Sequence, residues 1–369
     1  MKIAYLANVR FPSERAHSVQ IVHMCNAFSL CNAEVTLFAN KRNNDSLEEI
    51  AKHFSLDLTF KLERLPHGIF WHAFKPAYYF SELYFSLSFL FTKKHNSFDF
   101  IYSRHEWIIW FLSLFIKPDK LVWESHEAKL NFPARNVLKK GIKTVTISEG
   151  ISEDYEKYGV EHRQILVAHD GIDESFFANI ETKETARKRL GLPAQGRIAM
   201  YIGGFDEWKG VETFFASTDF LENISVVAIG GNPEQIADLL KLYSKVTFLG
   251  QLPYGDLKNN QQGADVLVIP NSAKTELSAR YTSPLKLFAH MASGVPIVAS
   301  DIPSLTTVTG SKLITLSAPD SPEALAEGIQ LVFTDYEAKK DKAQELKEVS
   351  LGYTWNKRAQ CIINFISLK

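Results

Sequence analysis

The chain repeats one pattern. A short, nearly unbroken apolar run is followed by a stretch with helical spacing, then by another apolar run. In the first half such runs cover residues 2–8, 34–39, 98–103, 121–124, 144–148 and 165–168. In the second half they cover 198–203, 225–230, 246–250, 266–270 and 296–300. Runs without alternating polar positions suit strands buried on both faces of a parallel sheet. Parallel neighbours need helical crossovers, and the intervening stretches supply them. Residues 18–30 put Val19, Val22, Cys25 and Phe28 on one helical face, and 235–243 and 284–292 also read as helices. The expected class is α/β, with an open, doubly wound sheet in each half.

At 369 residues the chain is long enough for two domains with separate cores. The charged, helix-prone stretch 181–190, ending in Gly191-Leu192-Pro193, marks the join. The tail, 353–368, fits both an amphipathic helix and a strand. A formal net charge of −1 excludes a nucleic-acid binder driven by bulk charge. Three cysteines, Cys25, Cys31 and Cys361, have no metal-binding spacing and suit reduced thiols in a cytoplasmic protein. No metal constellation is evident. The apolar run at the N-terminus is too short for a signal peptide. The longest aromatic-rich stretch, 69–91, is interrupted by His72, Lys75, Pro76 and Glu82, and reads as a helix packed in or on the first domain, with a membrane-dipping segment as the alternative.

Ligands of such sheets bind beyond the C-terminal strand ends, so the residues there are the candidates for chemistry. The segment 281–300, YTSPLKLFAHMASGVPIVAS, reads as a turn, a helix and a buried strand. Ser283 is a good N-cap and Pro284 suits the first helical position. Backbone N–H groups converging on a helix start make an anion site, and Lys286 adds a cation. The same residues also fit an ordinary αβ unit. Gly203 and Gly204 follow an earlier run and precede Lys209 at a helix start, a plausible diphosphate clamp. His126 lies just past a strand end, between Glu124 and Glu127. Arg15 and His17 lie in the polar loop before the first helix.

The segment 281–300 resembles the donor-site signature of retaining glycosyltransferases of the glycogen-synthase-like class, glycosyltransferase family 4. The resemblance spans nearly the whole chain and implies the GT-B fold, two Rossmann-like domains facing a deep interdomain cleft. It implies an acceptor-side domain over 1–180 and a nucleotide-sugar domain over 195–350. It also implies that 351–369 forms a helix crossing back to the first domain. Carried over by resemblance, Gly203, Gly204, Lys209, Tyr281, Thr282, Ser283, Pro284, Leu285 and Ala289 sit at the donor. His126 then donates to a sugar hydroxyl, Lys209 meets the diphosphate, and Arg15 and His17 face the acceptor.

The chain departs from the family pattern at three places. Tyr281 and Ala289 stand where the family carries two glutamates, the second of which contacts ribose. Gly204 stands where it often carries an arginine, and Arg280 is a candidate to replace that cation. The implied reaction transfers a hexose from a nucleotide-diphosphate sugar to a glycan or lipid-linked acceptor, without metal or cofactor, in cell-surface polysaccharide synthesis. The alternative is a donor-binding-impaired GT-B protein. Residues 129–143 carry Lys129, Arg135, Lys139, Lys140 and Lys143, a stretch suited either to anionic lipid headgroups or to solvent.

Overall fold

The computed structural model describes residues 1–13, 16–41, 45–54, 56–66 and 75–368. They form two compact units, Met1–Asp170 with Trp355–Lys369, and Gly171–Thr354.

The strands of the first unit are β1 (Lys2–Ala7), β2 (Glu34–Asn40), β3 (Lys61–Leu65), β4 (Phe100–Ser103), β5 (Leu121–Ser125), β6 (Lys143–Thr146) and β7 (Ile165–Val167). They pair in the order β3-β2-β1-β4-β5-β6-β7, all parallel. Its helices are α1 (Ala16–Leu30), α2 (Leu47–Phe54), α3 (Lys75–Phe91), α4 (Glu106–Leu112), α5 (Phe132–Lys139) and α6 (Glu149–Lys157). The chain leaves β1 toward β2 on one side and returns through β3 to β4 on the other. The ends of β1 and β4 therefore flank the point where the strand order reverses, and a crevice opens there. The tail resolves as a helix, Trp355–Ser367, grouped with this unit. The His23 ring stacks 5.5 Å from Trp355.

The strands of the second unit are β8 (Arg197–Ile202), β9 (Ile224–Ile229), β10 (Val246–Phe248), β11 (Val266–Ile269), β12 (Ile297–Ser300) and β13 (Thr315–Ser317). Their order is β10-β9-β8-β11-β12-β13, again all parallel, with the reversal between β8 and β11. Both faces are dry. Met200, Ile202, Val227, Leu267 and Ile297 belong to one apolar layer. Ala199, Tyr201, Val226, Val268 and Val298 belong to the other. This burial on two sides is why the strands read as unbroken apolar runs.

Three local expectations change. The edge strands β3 and β13 were not anticipated, because Lys61–Leu65 is polar and half-buried and Thr315–Ser317 is only three residues long. Ser283 does not cap the helix Leu285–Ser293. Pro284 occupies the N-cap position and no side chain bonds the first turn. The helix Lys183–Leu190, read as the join between halves, lies inside the second unit, where the buried Asp265 carboxylate accepts from Lys183 at 2.7 Å and from Arg187 at 2.7 Å.

Candidate functional site

In the second unit three strand ends converge at the reversal point. Beyond β8 the chain turns through Gly203 and Gly204 into a short 3-10 turn, Glu207–Lys209. Gly210 then takes φ +62°, and a Cβ there would lie 1.9 Å from the Pro270 carbonyl oxygen. Only glycine lets these two backbones pass so closely. The close approach fixes Lys209 beside the end of β11. Leu267 pairs with Met200 and with Ile297. Beyond β11 the Ser272 N–H donates to the Trp208 carbonyl at 3.1 Å, so Asn271 lies beside the turn that carries Lys209.

Two lysines meet at this point. The Lys209 ammonium pairs with Asp206 at 2.5 Å and lies over the Trp208 ring. A side chain at 204 would have to displace it, since a Cβ there would lie 2.9 Å from Lys209 Nζ. Lys286 stands in the first turn of Leu285–Ser293. Its Nζ is shut off from solvent, makes no hydrogen bond, and sits 4.7 Å from the centre of the Tyr201 ring. Burial, then the charge of Lys209, holds its pKa well below that of an ordinary lysine, and Asp206 opposes the shift only in part. Two more buried groups in this unit lack partners. Both amide atoms of the fully buried Asn271 are unbonded, as is His290 Nε2. His290 Nδ1 lies 3.1 Å from Gln261 Oε1. Burial and Lys286 push the His290 imidazole down to about 3.

The residues expected at this site fall into two groups. Gly203, Gly204, Lys209, Tyr281, Thr282, Ser283, Pro284 and Leu285 lie on the strand end, the turn and the helix start just described. Tyr281 closes a π-helical turn, Leu277–Tyr281, a geometry frequent at functional sites. Ala289 is fully buried among Leu287, Phe288 and Met291, so it contributes a methyl group and no hydrogen-bond acceptor from its side chain. Arg280, the suggested replacement cation, stands in this π-helical turn. It pairs with Glu276 at 3.0 Å and lies over the Tyr281 ring. Lys286 is the cation the spacing could not place, because nothing in the sequence shows that its ammonium turns inward.

In the first unit a cavity opens at the ends of β1, β4 and β5, lined by Tyr5, His17, Arg104, Trp123, His126 and Lys129 among others. Behind it lies a buried charge network centred on Glu124. This carboxylate accepts from Arg358 Nη1 at 3.2 Å, Gln20 Nε2 at 2.5 Å, His126 Nε2 at 2.6 Å and the Tyr102 hydroxyl. Burial alone would raise the Glu124 carboxyl. Arg358, with His126 and Arg104, outweighs that and keeps it well below the usual carboxylate range. Arg358 also donates to the carbonyls of Ala168 and His169, tying the last helix to the end of β7.

This network decides what His126 can do. Burial, then Arg104, push its imidazole down to about 3, against the pull of Glu124. The ring is therefore neutral at physiological pH. Because Glu124 is ionised, Nε2 carries the proton and Nδ1 keeps its lone pair. Nδ1 has no hydrogen-bond partner among the described residues. In this arrangement Nε2 is taken up by Glu124, and Nδ1 is the ring nitrogen left for a ligand. The fully buried Tyr5 hydroxyl and the Trp123 indole N–H also lack partners, so two cavity-lining residues carry open hydrogen-bonding groups. His17 lines the cavity, and its carbonyl accepts from Arg104 at 3.4 Å. Arg15 lies outside the described residues.

Residues 196–335 match the family profile described as glycosyl transferases group 1. The match lies within the second unit. TuaC of Bacillus subtilis, a glycosyltransferase named for teichuronic acid biosynthesis, is 28% identical over 186 residues, covering 50% of this chain and 45% of the relative. A D-inositol 3-phosphate glycosyltransferase of Corynebacterium urealyticum is 25% identical over 232 residues, covering 58% of this chain and 53% of the relative. The chain thus spans about half the length of these curated relatives. Among solved structures, sucrose-phosphate synthase from Thermosynechococcus elongatus superposes with a TM-score of 0.78 at 19% identity, over 98% of this chain and 97% of that one. Anabaena HepE, in complex with UDP-glucose, gives 0.73 at 15% identity over 100% and 99%. These likenesses establish the fold, two parallel-sheet Rossmann-like α/β units as in GT-B glycosyltransferases.

Proposed function

We propose that the protein is a retaining glycosyltransferase that moves a hexose from a nucleotide-diphosphate sugar to a glycan or lipid-linked acceptor, in the cytoplasm, during cell-surface polysaccharide synthesis. The observation that carries the reading is Lys286, a shielded ammonium with no counter-ion, beside Lys209 at an uncapped helix start. A buried cation without a partner is costly, and an anionic ligand relieves the cost. The helix start and two lysines suit a diphosphate. The names of its relatives support the class, since HepE was solved with UDP-glucose and WaaG acts in lipopolysaccharide biosynthesis.

In this reading the second unit holds the donor. Lys209 and Lys286 neutralise charge that builds on the departing diphosphate, the work a metal ion performs in other transferases. The first unit holds the acceptor, with His126 Nδ1 accepting from a hydroxyl and Tyr5 and Trp123 donating. The acceptor oxygen bonds the anomeric carbon as the bond to the diphosphate oxygen breaks. The acceptor proton passes to that leaving oxygen, and reaction on the same face retains configuration.

Ala289 favours a second reading, a donor-binding-impaired protein, because no side chain there can accept from ribose. A thermal-shift panel of UDP-, GDP-, ADP- and CMP-sugars without added metal separates the two. Stabilisation by sugars of one base supports the transferase and names half its donor. Silence across the panel, with the fold intact, supports the impaired protein. Ala289→Glu is expected to tighten nucleotide binding. A lower melting temperature with unchanged affinity would instead assign position 289 to the core.

A further inference from the structure

Helix α3 carries large apolar residues on more than one side, yet only one side of it is covered. Phe85 and Phe89 face the core at 0% exposure. Tyr79, Phe80, Tyr84, Leu87 and Phe91 are 42%, 68%, 47%, 37% and 80% exposed. Their spacing, mostly three and four residues, places them along one outer face. Leu114 and Phe115, just beyond α4, and Phe132, opening α5, are 53%, 64% and 61% exposed. Ring contacts join the three helices into one surface: Tyr79 to Trp107 at 4.6 Å, Trp107 to Trp110 at 5.6 Å, and Trp110 to Phe132 at 5.2 Å. Patches of this kind mark interaction surfaces in soluble proteins.

The exposed charges on these three helices are basic, although just after α4 the exposed Asp119 stands beside Lys117. The carboxylates of α3 and α4, Glu82 and Glu106, are buried, and α5 has none. Arg135, Lys139 and Lys140 stand exposed on and just after α5, Lys93 follows α3, and Lys117 follows α4. The Lys140 ammonium reaches the Ser113 carbonyl at 3.0 Å, so the basic helix abuts the end of α4. The basic stretch seen in the sequence is itself thinned. Lys129 lies near Glu106 and Glu127, and Lys143 donates to the carbonyls of Phe365, Ile366 and Leu368.

We propose that the outer face of α3, the end of α4 and the start of α5 form a docking surface for an anionic lipid bilayer. Phe80, Phe91, Phe115 and Phe132 enter the headgroup boundary, with tyrosine and tryptophan rings at the interface and Arg135 and Lys139 against the headgroups. Exposed aromatic residues beside cations, with no exposed carboxylate on these helices, match such a surface in both polarity and charge. Among the described residues no helix is long and apolar enough to cross a membrane, so the contact is shallow. The inference is independent of the transfer reaction.

Vesicle co-sedimentation of the full chain tests it. The protein pellets with vesicles of phosphatidylcholine and phosphatidylglycerol in equal parts, weakly with phosphatidylcholine alone, and less as salt rises. A Phe80→Ser/Phe91→Ser/Phe115→Ser variant loses about tenfold or more in partitioning. These positions are on the surface, so its circular dichroism stays that of the wild type. Lys139→Glu weakens binding to the anionic vesicles only. Wild-type protein left in the supernatant with both vesicles overturns the proposal, as does a triple variant that sediments like wild type. A dimer abolished by the triple variant, without vesicle binding, also overturns it and gives the face to a second copy of the chain.

Discussion

The two units place their candidate sites at the same topological position, where strand order reverses, yet they treat buried charge in opposite ways. In the first unit the buried Glu124 charge is paired, with Arg358, His126, Gln20 and Tyr102, while the neutral Tyr5 hydroxyl and Trp123 indole N–H stay unbonded among the described residues. In the second unit the Lys286 ammonium is shielded and unbonded, and Asn271 and His290 Nε2 are unbonded too. A satisfied network holds its own geometry without a ligand, whereas unsatisfied groups store a cost that a ligand can release. The first site is thus a finished scaffold around an open cavity. The second leaves buried groups whose cost an anion would relieve.

Breaking the matched side has the largest expected effect. Arg358→Met leaves Glu124 buried without its counter-ion and should lower stability by about 3–5 kcal/mol, read as a fall in urea midpoint. Adding Glu124→Gln should recover part of that loss. A double variant as unstable as the sum would show the two residues act separately.

Acid probes both units together. His126 and His290 take up protons near their ordinary value when unfolded, but only near about 3 when folded. Stability is therefore full above pH 6.5 and falls as pH drops toward 3, by about 1.4 kcal/mol per pH unit for each histidine. Replacing either histidine with glutamine should flatten the profile of melting temperature against pH. An unchanged slope in both variants would place acid sensitivity elsewhere.

The unmatched side should respond with the opposite sign. Lys286→Met removes an uncompensated buried charge and is expected to raise stability by about 1–3 kcal/mol, measured by denaturant melting. A loss of stability would mean Lys286 has a structural partner. Lys209, half-shielded and already paired with Asp206, matters less to the fold. Lys209→Ala should leave melting nearly unchanged and weaken nucleotide diphosphates about tenfold, with little effect on nucleosides. Equal losses for both would remove Lys209 from the diphosphate site.

The contrast between the units also marks how far the sequence could be read. The apolar runs announced the two-sided sheets, because burial on both faces leaves no polar alternation to misread. The edge strands β3 and β13 carried no such signal. Lys209 and the glycine turn were legible, since glycines at a strand end and a following lysine are local features. Lys286 was visible as a cation but not as a buried one, and the pairing of Arg280 with Glu276, one helical turn away, was not anticipated. The Glu124–Arg358 pair joins residues 234 positions apart. No spacing rule reaches that far, so the tautomer of His126 could not be read from its neighbours.

The most direct test of the central claim is calorimetric titration of inorganic pyrophosphate and of UDP, GDP and ADP into wild type and Lys286→Met, without metal. The account predicts that wild type binds pyrophosphate and one of the nucleotides, and that the variant binds both at least about tenfold more weakly. Equal affinity in the two proteins would contradict it.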